Sequence, residues 1–148
     1  MIKKIGLLFL VVAALLVFTG CSSTEQNNDQ TNNIMPSDGA TANGKVVIYF
    51  FWGEGCPHCA VEKPFLEEME QKYPELEVKM FETWKNPDNA ELFQKVAAAY
   101  GIQARGVPTT FIGDFEPIVG FADYMKEDLE SKIKNCLERD CVDPGSKL

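Results

Sequence analysis

The chain has 148 residues, 45% of them hydrophobic and 24% charged, with five cysteines and a formal net charge of −8. That length allows one domain with appendages, and a core large enough to stand without disulfide staples. The acidic balance excludes a nucleic-acid surface, which needs a basic face, and an odd cysteine count in an exported chain leaves one sulfur with a separate task.

Residues 1–20 read as a signal peptide. Lys3 and Lys4 make a positive start, and residues 5–18 form an uncharged run in which Gly6 alone lacks an apolar side chain. Such a run is short for a membrane span, which needs ~20 residues, and fits a secretory h-region. It ends in Phe18-Thr19-Gly20-Cys21-Ser22. Small residues followed by cysteine at this place resemble the bacterial lipoprotein signal, with Phe18 standing where leucine is usual. The resemblance implies cleavage before Cys21, a lipid on its sulfur and a bilayer anchor. Several acyl chains would hold durably where one is marginal. The competing reading is an ordinary signal peptide, with Cys21 a spare thiol or discarded with the peptide. Loss of residues 1–20 takes two lysines and no acid, leaving 12 basic and 22 acidic residues and a net charge of −10.

With Cys21, residues 22–44 read as a tether. They are rich in Ser, Thr, Asn, Gln, Asp and Gly and contain no aromatic residue, so they cannot bury enough apolar surface to offset ordering. A third segment, 45–148, alternates strands and helices. Residues 45–52 (KVVIYFFW) form a β-branched and aromatic run, the pattern of a strand covered on both faces. Gly53-Glu54-Gly55 ends it. A helix is expected over 57–73, with Val61, Phe65, Leu66 and Met69 inward and Glu62, Glu67, Glu68 and Glu70 on a solvated face. Pro64 should kink it.

Residues 76–83 alternate as a second strand. Asn86-Pro87-Asp88 supplies a cap, a proline and an acid for a helix to about Tyr100, with Leu92, Phe93, Val96 and Ala97 inward, stopped by Gly101. A third strand is expected over 109–112, a turn at Gly113-Asp114, and a fourth strand over 117–121 at a sheet edge because of its proline. A last helix covers 124–139. The order β-α-β-α-β-β-α implies a partly parallel sheet closed by an antiparallel hairpin.

The chemistry concentrates at Cys56-Pro57-His58-Cys59, a C-x-x-C at the junction of strand and helix. There the first cysteine meets free backbone N–H groups and the positive end of the helix dipole, which favour a thiolate. Pro57 suits the first turn. His58, by its charge or its ring N–H, can favour the Cys56 thiolate further. Stabilising the thiolate stabilises the reduced state, which makes the disulfide an oxidant. Half of a zinc site is a competing reading, but no second Cys/His pair stands at zinc spacing and His58 is the only histidine. A purely structural disulfide and capture of Cu(I) by the thiolates also compete. No metal and no cofactor beyond the Cys56–Cys59 disulfide are expected.

From residue 45 to about 139 the chain resembles the thioredoxin superfamily. The aromatic strand ending in Trp52, the C-x-x-C, Pro64 and Gly106-Val107-Pro108-Thr109 carry the resemblance in order. It implies a thioredoxin-like α/β fold with a central mixed four-stranded sheet flanked by helices. It also implies a cis Pro108 beside the disulfide, an isomer cheap only before proline. Val107 would offer backbone hydrogen bonds to a substrate strand, and Gly120 would let the substrate-binding surface approach the site. Trp52, Pro57, Val107 and Pro108 would make the contact surface. The Pro-His dipeptide resembles oxidising, DsbA-type members. The helical insertion of that group is absent, since only 83–105 intervene before the cis-proline segment. Many members keep a buried acid six residues before the first cysteine to move protons for the second; Phe50 stands there. Glu54, His58 or water could serve instead.

The expected activity is thiol–disulfide exchange in the bacterial cell envelope, outside the cytoplasm. Cys56 forms a mixed disulfide with exported proteins bearing thiols or disulfides, and Cys59 resolves it. A membrane redox partner would reset the pair. The oxidising or isomerising direction is favoured by His58. Against it stand a reductase fed by a membrane electron donor, and a non-enzymatic module that binds Cu(I) or protein. Cys136 and Cys141 would pair in an oxidising compartment and pin the chain end, or act as a second redox relay.

Overall fold

The structure is a computed structural model that describes residues 44–148. The signal-peptide reading of 1–20, the Cys21 anchor and the tether up to residue 43 lie outside the described residues. Strand β1 (Val46–Trp52) is the centre of a four-stranded sheet of order β2-β1-β3-β4. It pairs in parallel with β2 (Leu76–Glu82) and antiparallel with β3 (Thr109–Ile112), which pairs antiparallel with β4 (Ile118–Val119). The sheet is mixed, with the single parallel pair that the helical crossover between β1 and β2 demands. This is the expected α/β class.

The alternation of β1 sorts its side chains onto two faces. Val46, Ile48 and Phe50 pack with Phe65, Leu66 and Met69 of α1 (Pro57–Lys72) and with Leu129 and Ile133 of α3 (Lys126–Arg139). Phe51 faces the other way, against Phe93, Val96 and Ala97 of α2 (Pro87–Ala99) and Phe111 of β3. Phe51 and Phe93 stack with ring centroids 4.7 Å apart. The Asn86 side chain accepts hydrogen bonds from the N–H groups of Asp88 and Asn89, so the sequence cap is the structural cap.

Helix α1 continues through Pro64, which is exposed. Two elements differ from expectation. Strand β4 is two residues long rather than the expected 117–121. Gly120 ends it at φ +76°, turning its N–H to the Pro108 carbonyl at 2.8 Å. The last helix starts at Lys126, behind a 3₁₀ turn at Asp123–Met125.

Candidate active site

The end of β1 and the start of α1 position the disulfide. Cys56 is the N-cap of α1, extended at φ −71° and ψ 119°, and its Sγ accepts the Cys59 N–H at 3.2 Å. Cys56 and Cys59 are disulfide-bonded, with Cα atoms 5.2 Å apart. The cap geometry follows from the sequence: Pro57 at the first helical position has no N–H to satisfy, so the first sulfur takes the donor that a serine or aspartate cap would take. Both sulfurs belong to buried residues, while Pro57 and His58 are exposed between them.

The second wall comes from the loop before β3. The Val107–Pro108 peptide bond is cis. The Val107 carbonyl oxygen lies 3.6 Å from Cys56 Sγ. Trp52 is half-buried at the end of β1, with the Lys63 ammonium 4.7 Å from its ring centre. Of the expected contact surface Trp52, Pro57, Val107 and Pro108, Trp52 and Pro57 line one cleft with Cys56 and Val107 lies against its sulfur, whereas Pro108 is buried and offers no exposed contact.

His58 is placed differently from the reading that gave its ring N–H to Cys56. Its Nδ1 is 2.9 Å from the Phe121 carbonyl oxygen. A carbonyl can only accept, so Nδ1 carries a hydrogen and spends it on Phe121. The bond ties the start of α1 to the segment after β4.

Two residues that the sequence did not assign to the site have notable settings near the start of α1. Trp84 lies on the loop between β2 and α2, and its indole occupies the space in which a side chain at Gly53 would sit. Trp84 shares with Phe93, Ala104, Arg105 and Val107 a cleft of about 220 Å³ beside the cis-proline segment. Glu82 fastens this loop: its carboxylate accepts N–H groups of Glu54, Trp84 and Lys85. Desolvation opposes its charge, but those bonds outweigh it and hold the carboxyl below its ordinary value. Glu54 is exposed and paired with Lys85.

The other residue is Glu62, assigned above to a solvated face. That assignment is corrected: Glu62 is 0% exposed. Its Oε1 accepts the Thr110 hydroxyl at 2.5 Å, and its Oε2 has no hydrogen-bond partner. Burial raises its pKa to about 8, against a smaller lowering by the Thr110 bond. Spacing carried a signal, since Cys59, Glu62, Phe65 or Leu66, and Met69 form one helical stripe. Glu67 and Glu68 are exposed as expected, and Glu70 accepts the Val78 N–H.

Cys136 and Cys141 are also disulfide-bonded, with Cα atoms 4.9 Å apart, at the end of α3. They border a cleft with Lys45 and Val46, at the start of β1. The Cys56–Cys59 pair follows the other end of that strand. Seven residues of β1 at ~3.3 Å each put the two disulfides on the order of 20 Å apart. Among the described residues no cluster of three His, Cys, Asp or Glu side chains could hold a metal ion, and no helix is long and apolar enough to cross a membrane.

A sheet of order β2-β1-β3-β4 with a C-x-x-C disulfide at the start of α1 and a cis-proline facing it is the thioredoxin fold. Fold and disulfide together support a thiol–disulfide oxidoreductase. The chain is similar in structure to a Chlorobium tepidum protein assigned as a thiol:disulfide interchange protein DsbE, at 25% identity, over 64% of this chain and 81% of that one, with a TM-score of 0.50. Oxidised mitochondrial thioredoxin 3 of Saccharomyces cerevisiae aligns at 21% identity over 62% of this chain and 78% of its own, TM-score 0.47. Oxidised thioredoxin O2 of Arabidopsis thaliana aligns at 20% identity over 65% and 78%, TM-score 0.49. No protein-family model matches the sequence, and no curated protein matches it.

Proposed function

We propose that the protein is a lipid-anchored, extracytoplasmic thiol–disulfide oxidoreductase that oxidises or isomerises exported proteins. The observation that carries this reading is the setting of Cys56. Its sulfur caps a helix, accepts a backbone N–H, and lies 3.6 Å from the carbonyl that a substrate strand would meet. A sulfur so placed is stabilised as thiolate once reduced, which favours the oxidising direction.

In that direction a substrate thiolate attacks Cys56 Sγ. The bond to Cys59 breaks, and its electron pair leaves on Cys59 Sγ. A second substrate thiolate then attacks the substrate sulfur of the mixed disulfide and releases Cys56 as thiolate. Two electrons have passed from the substrate dithiol to the protein pair, and a disulfide of a membrane protein takes them on to restore Cys56–Cys59. Val107 and Trp52 hold the substrate chain, and the Cys21 lipid with residues 22–44 keeps the domain at the membrane.

Exchange with a reduced unfolded protein tests the chemistry. Cys56→Ser should abolish it, and reduced Cys59→Ser, offered the same protein in its disulfide form, should accumulate a mixed disulfide on Cys56 that no Cys59 thiolate resolves; full activity in Cys56→Ser would sink the proposal. The reduction potential of the pair tests direction: a value near about −120 mV marks an oxidase, and one near about −270 mV a reductase. Tight Cu(I) binding without exchange would mark a binding module instead. Labelling with radioactive fatty acid, lost in Cys21→Ser, tests the anchor.

A further inference from the structure

The surface beside the disulfide differs in charge from the rest of this acidic chain. Eight of the twelve lysines and arginines of the described residues stand in ion pairs. Lys45, Lys63, Arg105 and Arg139 make none among the described residues. Arg139 lies over the Phe115 ring, and Lys45 precedes β1, at the end of the strand away from Cys56. The other two flank the disulfide. Lys63 is one helical turn after Cys59, with its ammonium over the ring of Trp52, which lines the Cys56 cleft. Arg105 lines the Trp84 cleft together with Val107. Two residues of chain separate Arg105 from Val107, a span of at most about 7 Å, and the Val107 carbonyl is 3.6 Å from Cys56 Sγ.

We propose that Lys63 and Arg105 are specificity determinants, and that the protein selects substrate segments whose cysteine is flanked by aspartate or glutamate. This names the substrate class of the exchange proposed above and rests on that reading. The two cations stand on opposite walls of the site, Lys63 on the α1 side and Arg105 on the cis-proline side, so a segment that brings its cysteine to Cys56 passes between them. The acids nearby are engaged elsewhere. Glu54 is paired with Lys85, Glu82 accepts the backbone N–H groups of its own loop, and Glu62 is buried. Glu67, exposed one turn beyond Lys63, makes no ion pair with it. The Arg105 Nε is given to Gln103, which leaves the outer nitrogens of its fork for a carboxylate.

The apolar surroundings strengthen this preference. Trp84 is 59% exposed and Val119 58%. Trp84 shares one cleft with Arg105, and Val119 shares with it a second cleft of about 440 Å³, so the guanidinium lies between two exposed apolar side chains. Walls of low polarity concentrate the field of a charge held between them. The net charge of −8 acts the other way, since an acidic protein repels an acidic segment at a distance. That repulsion is screened beyond ~8–10 Å at physiological salt, whereas charges in contact are screened less. Close to Cys56, therefore, the two cations decide the sign.

The test is oxidation of dithiol peptides by the full chain in detergent at pH 7, in a single turnover followed by acid quench and alkylation. Three peptides carry glutamate, glutamine or lysine on both sides of the attacking cysteine. Each rate is divided by that of the same peptide with hydroxyethyl disulfide, a neutral oxidant, which removes differences in thiol reactivity. The wild type should oxidise the glutamate peptide about tenfold faster than the lysine peptide, and the ratio should shrink toward one as salt rises to about 1 M. Lys63→Gln/Arg105→Gln should bring the ratio close to one at low salt, and Arg105→Glu should favour the lysine peptide. Lys45→Gln loses the same charge at the far end of β1 and should keep the wild-type ratio. Equal rates for all peptides in the wild type, a preference for lysine, or a ratio lost equally in Lys45→Gln would overturn the proposal. So would a chain in vesicles that shows no peptide preference but is slower on phosphatidylglycerol than on phosphatidylcholine, which would give the cations to an anionic lipid surface. A Cys56→Ser protein that still oxidises the peptides would instead overturn the exchange reading beneath it.

Discussion

Glu62 ties the stability of the fold to pH. An acid near 4.5 in the open chain and about 8 in the fold keeps its proton more tightly when folded. The unfolded chain binds fewer protons over that interval, so stability falls as pH rises. The contribution is whole below about pH 4.5, is lost progressively up to about 8, and changes no further above. At ~1.4 kcal/mol per pH unit the full loss is on the order of 5 kcal/mol. Glu62→Gln carries no charge to bury and can keep the Thr110 bond. Urea unfolding at pH 5 and pH 9 should therefore show a smaller pH-dependent loss in Glu62→Gln than in the wild type, and the variant should be the more stable at pH 9. Equal slopes in the two proteins would show that the carboxyl is charged in the fold throughout.

At the scale of elements, the strands and helices that bury apolar faces were legible because period and burial agree. The run from Val46 to Trp52 had the composition of a covered strand, and α2 carried both its cap and its stripe of Phe93, Val96 and Ala97. The C-x-x-C could be placed on a helix start from the same pattern. Residue type misled at Glu62, whose spacing belongs to the buried stripe while its charge suggests solvent. Strand β4 was overestimated because its apolar run continues past Gly120, where the backbone turns to positive φ. Trp84 gave no periodic signal at all, since it is a loop residue placed by contacts distant in sequence. Its seat on Gly53 has a testable consequence. A Cβ at Gly53 would overlap the indole, and the Trp84 loop borders the same cleft as Val107. Gly53→Ala should cost about 1 kcal/mol, as overpacking does, and shift the tryptophan fluorescence. It should slow exchange with a protein substrate severalfold while leaving reduction by dithiothreitol nearly unchanged. An equal effect on both reactants would place the damage in the disulfide rather than in the docking surface.

The molecule as a whole keeps its two disulfides apart, and the separation decides what the second one can do. Exchange requires sulfur to meet sulfur, and on the order of 20 Å of strand lies between the pairs. Cys136 and Cys141 are 1% and 7% exposed, and they close against Gly113, where a Cβ would come within 2.9 Å of Cys141 Sγ. The pair joins the last turn of α3 to the segment that returns to the start of β1. A ring closed across a sequence separation of 5 restricts the open chain by about 2 kcal/mol. The double variant Cys136→Ser/Cys141→Ser should accordingly melt on the order of 10 °C lower, since 1 kcal/mol is worth roughly 4–8 °C in a domain of this size. Its rate of exchange through Cys56 at 25 °C should equal that of the wild type, as should the reduction potential of Cys56–Cys59. A changed potential with an unchanged melting temperature would make the second pair a relay, working through a movement that brings the two ends of the sheet together or through a second molecule.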